Sequence, residues 1–398
     1  MNTPRNLVVA LALISALPMV AVAQPAPAAA PAASAPAGSA PARGSAPGGR
    51  GQAPRNAPNT KMGLPPTVAP DAKVEKIATL PTESYTIGSP FVEGATCAPN
   101  GDVYFIEQQS DKIMHYSVAD KKLSVFMHPS GYSNGMCFDY HGNLISCADE
   151  KNELWSISIT ETESVPYPQP VNPTVGDKPK SGNITLPKHS VLVTGYDGKP
   201  LGGPNDVWVR PDGGMYLTDP YYRRPWWTTE RNKPETQQVD AAGKPLRTVY
   251  FLSPDHKTFK RVLDEFNVVN GRAGTPNGIA GTGDGKTLFV ADIDNGQTFK
   301  YDIQADGSLK NKTLVCNLGS DGMTLDNQGN LYMSSSGGGG TGVTVVDTKT
   351  GKQIGYIPVP EGPANMCFAG KDRSTLYITA RTGFYSIETK VKGANPGK

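Results

Sequence analysis

The chain has 398 residues, 44 of them glycine and 36 proline, and carries a formal net charge of +2 with no basic cluster. That balance excludes the electrostatic footprint of a nucleic-acid-binding surface. The scattered Gly and Pro, with no segment of sustained helical periodicity, exclude an α/β fold.

Residues 1–23 read as a secretory signal peptide: Arg5 gives the positive start, Leu7 to Val22 an apolar run broken by Pro18, and Ala21-Val22-Ala23 a small-residue cleavage site. The run is short for a membrane anchor, so cleavage would leave no membrane span and an exported chain, periplasmic or secreted. Residues 24–70 are nearly all Ala, Pro, Gly and Ser. They lack the apolar side chains that offset the entropy of ordering, and read as a disordered linker. Residues 71–398 suit one large all-β domain. The five cysteines cannot all pair with one another. Cys97, Cys137 and Cys367 fall on first strands of predicted hairpins as small buried residues, and a Cys137–Cys147 bridge across one hairpin is the alternative.

From there one device recurs. A turn containing Asp, Asn or Gly is flanked by alternating apolar residues at 98–107, 139–148, 210–219, 282–292, 326–335 and 370–380. The last copy places Arg373-Ser374 where the others have glycine. Most copies are followed by another alternating stretch, such as 112–116, 153–159, 298–301, 342–346 and 383–387. Units of about four strands at spacings of about 40 residues are the mark of a β-propeller, here of six blades. The middle spacings are longer, about 70 residues, which predicts loop insertions in blades three and four. Pro166 to Pro187 is Pro-rich and predicts a surface excursion between blades. The stretch from Tyr221 to Arg247 opens with Tyr221, Tyr222, Trp226 and Trp227, which either roof a ligand pocket or pack the loop onto the ring.

Several motifs fail on context. Gly131-Tyr132-Ser133-Asn134-Gly135 fits a nucleophile elbow, but a strand follows where a helix is required, and no His–acid pair accompanies it. The run 337–342 (GGGGTG) lacks the Lys-Ser/Thr of a phosphate loop and reads as a blade turn. The five histidines show neither metal-ligand spacing nor a cysteine partnership, so a zinc site of nitrogen or sulfur ligands is excluded.

The informative pattern is positional. Just before the first strand of successive hairpins stand Glu93, Asn134, Asn205, Asn277, Asp321 and Asn365, all acid or amide. In a propeller the innermost strands begin at one end of the central channel, so these six residues ring one axis. Two carboxylates with several amides form an oxygen cage suited to Ca²⁺, Mg²⁺ or Mn²⁺. Without a cation the carboxylates would be costly to bury.

The segments Phe91-Val92-Glu93-Gly94, Gly203-Pro204-Asn205-Asp206, Thr275-Pro276-Asn277-Gly278-Ile279-Ala280, Asp321-Gly322-Met323 and Gly383-Phe384-Tyr385 together resemble the SMP-30/gluconolactonase/LRE (regucalcin-like) family, from about Ser89 to Ile387. The resemblance implies a six-bladed propeller with one catalytic divalent cation in its channel. It further implies Glu93, Asn277 and Asp321 as ligands, Asn205 as a further ligand or a substrate contact, and Asp321 as general base. Some members carry a basic residue, contacting sugar hydroxyls, where this chain has Gly203. The expected activity is hydrolysis of a small-molecule lactone, the cation polarising the carbonyl. Asn134, Asn205 and Tyr222 are the expected substrate contacts. The alternatives are another ester or a phosphotriester as substrate, or a calcium-binding propeller without catalysis. Ca²⁺ is the expected ion, and Mg²⁺, Mn²⁺ or Zn²⁺ would accept the same oxygens.

Overall fold

The structure, a computed structural model, describes residues 57–80, 90–168, 180–228, 233–240, 243–263, 266, 273–335, 340–395 and 397. The expected signal peptide and most of the expected linker lie outside these residues, as does the first half of the GGGGTG run. The described residues form 24 strands and two short 3-10 turns. None of their helices is long and apolar enough to cross a membrane.

The strands make six four-stranded antiparallel sheets, which are the six predicted blades. Five blades follow the chain in order, starting from the innermost strands Val92–Cys97, Ser133–Phe138, Val207–Val209, Pro276–Gly281 and Met323–Leu325. The sixth starts at Pro363–Ala369 and takes its outermost strand, Glu75–Thr79, from the other end of the domain, where it pairs with Gly383–Glu388. This pairing latches the ring. The innermost strands are buried throughout, whereas outer strands such as Leu309–Cys316 are largely exposed. The apolar core divides into six clusters, each filling the gap between two neighbouring blades. Phe105 on Phe384, for example, joins blades one and six with ring centroids 4.5 Å apart. Burial of each large side chain contributes about 1.5–3 kcal/mol, so the ring is held by side chains between sheets as well as by ladders within them. In the turns joining first to second strands, Gly101, Gly142, Gly213, Gly285 and Gly329 have φ of 70–91°, and in the sixth blade Arg373 takes that position with φ 59°.

Three readings need refinement, and the cysteines follow the buried reading and not the bridged one. The long insertions belong to blades two and three, because they follow the second and third inner hairpins; spacing gives their length but not the blade that carries them. The Pro166–Pro187 excursion is not a free loop between blades. Glu153–Pro166 and Asn183–Val193 pair as far as Pro166↔Asn183, so blade two carries a long outer hairpin, with Pro187 on the edge strand, where proline is tolerated. Residues 57–70, expected as linker, lie along blades five and six. Thr67 and Val68 are buried there, and Tyr356 N donates to Gly63 O. Finally, all five cysteines are buried and none is joined in a disulfide; the register sets Cys137 opposite Ile145, leaving Cys147 diagonal to it.

The far end of the channel, where the innermost strands finish, is crossed by residues 390–397. Gly393 N donates to Arg373 O, Ala394 N to Leu325 O and Asn395 Nδ2 to Gly281 O, while Gly397 O accepts from Thr96 Oγ1 and Cys97 N. This one segment touches blades six, five, four and one and forms the channel floor.

Candidate active site

The six opening residues meet at the other end, the mouth. In blades one, two and four the ladder between the first two strands slips at the opening residue: between Glu93 and Thr96, Ser133 and Met136, and Pro276 and Ile279. Such bulges turn a side chain away from the sheet face. Their common phase is why Glu93, Asn134 and Asn277 leave the sheet at equivalent points. In blades three and four the aspartate ending the second strand fixes the approach to this position: Gly202 N donates to Asp219 Oδ2 (2.7 Å) and Thr275 N to Asp292 Oδ1 (3.0 Å).

Contacts run from blade to blade around the mouth. Gly135 N donates to Asn205 O (2.6 Å), Thr218 Oγ1 to Asn277 O (2.8 Å) and Gly322 N to Ala364 O (2.6 Å). The closing link is Asn365 Nδ2 to Glu93 Oε1 (2.7 Å). The glycines after the opening residues are required by this closeness. A Cβ on Gly94 would lie 2.3 Å from Asn134 O, and one on Gly278 would lie 2.1 Å from Asp321 O. Two blades depart from the glycine kept by blades one, two, four and five: blade six has Met366 at this position, and blade three has Asp206. Its carboxylate reaches the axis and accepts from Asn365 Nδ2 at 3.3 Å.

Glu93, Asn134, Asn205, Asp206, Asn277 and Asn365 are all at least 96% buried, whereas Asp321 is half-buried. Burial pushes the Glu93 carboxyl well above the usual carboxylate range, and the nearby charges of Asp321 and Asp206 push it further. Glu93 Oε2 and Asn277 Oδ1 are buried without a hydrogen bond from the protein. Buried oxygens are seldom left so, and crowded carboxylates beside an unsatisfied amide oxygen fit a hard divalent cation. Among the described residues no three His, Cys, Asp or Glu side chains form a ligand cluster by themselves; the donor set that could hold an ion mixes carboxylates with amides.

Tyr222 joins this group: Asn277 Nδ2 donates to its hydroxyl (3.1 Å), which leaves Asn277 Oδ1 as the atom free to face the axis. The phenol's pKa is raised by burial and by the Asp321 charge. Trp226 and Trp227 serve the packing alternative, since both Nε1 atoms donate to Asp149 O (3.2 and 3.1 Å) and Trp226 stacks on Tyr132 at 4.4 Å. Ser133 is a structural residue, buried, donating to Ser130 O and accepting from Ser146 Oγ. The expected site residues therefore converge on one end of one channel. Asp206 was missing from the expected ligand set, and the signal for it was Asn-Asp where neighbouring blades read Asn-Gly or Asp-Gly.

The profile described as SMP-30/Gluconolactonase/LRE-like region matches residues 91–382, from the strand bearing Glu93 to the last blade. The chain belongs to this family. A gluconolactonase of Zymomonas mobilis is 24% identical over 76% of this chain and 79% of that protein. A regucalcin of Gallus gallus is 32% identical over 33% of this chain, spanning less than half (44%) of its own length. Among solved structures, a gluconolactonase from Xanthomonas campestris aligns over 85% of this chain and 99% of its own with a TM-score of 0.63, at 20% identity, which supports the shared fold.

Proposed function

We propose that this family member is an exported, divalent-cation-dependent hydrolase that opens lactone rings. The observation that carries the reading is the convergence of buried Glu93, Asp206 and Asn277 with half-buried Asp321, Glu93 Oε2 and Asn277 Oδ1 being left without a hydrogen bond from the protein. The gluconolactonase relatives support the lactone substrate, and Arg5 with the apolar run to Ala23 supports export. Glu93, Asn277 and Asp321 would hold the ion, with Asn205 beside them, and Ca²⁺ fits this all-oxygen set. When bound, the cation supplies Lewis-acid polarisation of the lactone carbonyl.

The protein's residues do the rest. Glu93 is too deeply buried to meet substrate and serves as an anchor. Asp321, the most open of the three acids, takes a proton from the attacking water. Water adds to the carbonyl carbon, the ring C–O bond breaks, and the proton passes to the departing ring oxygen, giving a hydroxy acid. Asn134 and Asn205 orient the ring, and Tyr222 holds the Asn277 amide so that its oxygen points inward. The test is a lactone panel run on chelator-stripped protein with each cation restored in turn. Loss of hydrolysis on stripping and recovery with one ion is expected; full hydrolysis by stripped protein would reject the reading.

A further inference from the structure

Asp149 directly follows the second strand of blade two, Leu144–Ala148, matching in sequence the position from which Asp219 and Asp292 bind backbone within their own blades. Asp149 instead takes a group from the next blade: Arg224 Nε donates to its Oδ2. The Asp149 side chain is 0% exposed, and that of Arg224 keeps 10% exposure. The guanidinium lies over two rings, 5.5 Å from the Tyr222 centroid and 5.7 Å from that of Trp226. Both tryptophans beside it are tied to Asp149 O. Gly203, with φ +108°, makes room for this assembly: a Cβ there would lie 3.3 Å from Asp149 Oδ1 and 3.2 Å from the Trp227 ring.

The guanidinium is thus fixed one aromatic ring from Asn277, in the loop that leaves the second strand of blade three, yet its Nη2 is buried without an acceptor. A guanidinium N–H left in that state is unfavourable. By contrast, the neighbouring Arg247–Asp294 pair is 31% exposed on both sides and can be completed by solvent.

We propose that Arg224 is a specificity-determining residue whose Nη2 donates a hydrogen bond to a ring hydroxyl of a neutral, hydroxylated lactone at the channel mouth. This rests on the lactone-hydrolase reading and deepens it. The charge balance selects neutrality. Asp149 already compensates Arg224, and the three carboxylates Glu93, Asp206 and Asp321 exceed one divalent cation by a negative charge, so an anionic substituent would be repelled.

The test compares wild type with Arg224→Lys and with the double variant Asp149→Asn/Arg224→Met, which removes both charges and avoids stranding a buried carboxylate. Gluconolactone is set against valerolactone, a lactone with no ring hydroxyl, and Ca²⁺ affinity is measured by calorimetry. In both variants kcat/KM for gluconolactone falls about 10- to 100-fold, the value of one hydrogen bond to a charged donor. Valerolactone hydrolysis and Ca²⁺ affinity stay within about twofold, since neither uses that bond. Equal losses on the two lactones, a fall in Ca²⁺ affinity, or no loss on gluconolactone each overturn the proposal. If wild type opens no lactone, the hydrolase reading fails separately. Anhydroglucitol, a hydroxylated ring with no carbonyl, then decides through tryptophan fluorescence. Binding that the double variant loses sustains the role of Arg224, and absent or unchanged binding overturns it.

Discussion

The two ends of the channel are built from the same strands and finish differently. At the far end the polar groups of the segment from Lys390 are largely used internally: Gly397 O accepts twice, and Asn327 N donates to Lys392 O and Lys392 N to Asn327 Oδ1, although Asn395 Oδ1 is buried without a partner. At the mouth, Glu93 and Asn277 each keep an unsatisfied buried oxygen, and three carboxylates crowd together. One end lowers the free energy of the fold, and the other holds unfavourable chemistry that the rest of the ring must offset. Substitutions at the mouth should therefore damage chemistry or ion binding, and those at the floor should damage stability alone.

The largest expected effect is on turnover. Asp321→Asn keeps the shape but cannot take a proton, so kcat should fall on the order of 10²–10⁴-fold, the usual value of a positioned general base. Asn395→Ala, at the floor, should leave kcat unchanged. Steady-state kinetics on one lactone checks both, and equal turnover by the Asp321→Asn protein would remove that residue from the mechanism.

Next comes Glu93, where the sign of the stability change is informative. Its folded pKa is raised, so above its ordinary pKa of 4.5 the folded state holds a proton that the unfolded state releases. Stability of the chelator-stripped protein should therefore fall as pH rises from about 4.5, by at most about 1.4 kcal/mol per pH unit, and level off above the folded pKa. Glu93→Gln should remove this slope and raise the Tm of stripped protein at neutral pH, while weakening cation binding on the order of 100-fold. Thermal melts across pH with and without Ca²⁺ separate the two effects. A stripped wild-type protein that gained stability toward neutral pH would contradict the buried-acid account.

The sequence displays the two ends unequally. Blade count and strand order are legible because period-two alternation and turn glycines are local signals. The mouth is legible for the same reason: Glu93, Asn134, Asn205, Asn277, Asp321 and Asn365 sit at one phase of a repeat. Asp206 is hidden because its role depends on an axis crowded by residues from other blades, and the Asp149–Arg224 pair because it joins blades two and three through folding. Residues 390–397 have no alternation at all. Their contacts are spread over several blades, so no local pattern announces a floor.

That floor supplies the next prediction, whose effect on ion binding and chemistry is smaller. Ending the chain after Thr389 removes buried Val391 and the bonds to Arg373, Leu325, Gly281, Thr96 and Cys97. At about 0.5–1.5 kcal/mol net for each bond and about 1.5 kcal/mol for Val391, stability should fall by roughly 4 kcal/mol or more. Calorimetric Ca²⁺ affinity should be unchanged below the new melting point. A shortened protein that folds normally but loses the ion would join the two ends and undo the contrast between them.

The smallest effect tests whether all six mouth positions are equal. Asn134 is buried, but its backbone carbonyl is the atom pressed toward Gly94, and substitution of the side chain leaves that carbonyl in place. Asn134→Ala should therefore change kcat/KM by less than about tenfold, the value of one positioning hydrogen bond between neutral groups. It should leave Ca²⁺ affinity untouched, because Asn134 supplies none of the unsatisfied buried oxygens among the described residues, whereas Glu93 and Asn277, in blades one and four on opposite sides of the axis, each supply one. If calorimetry instead shows weakened binding in Asn134→Ala, the donor set extends around the ring into blade two, and the mouth functions as a single polar collar with no privileged pair.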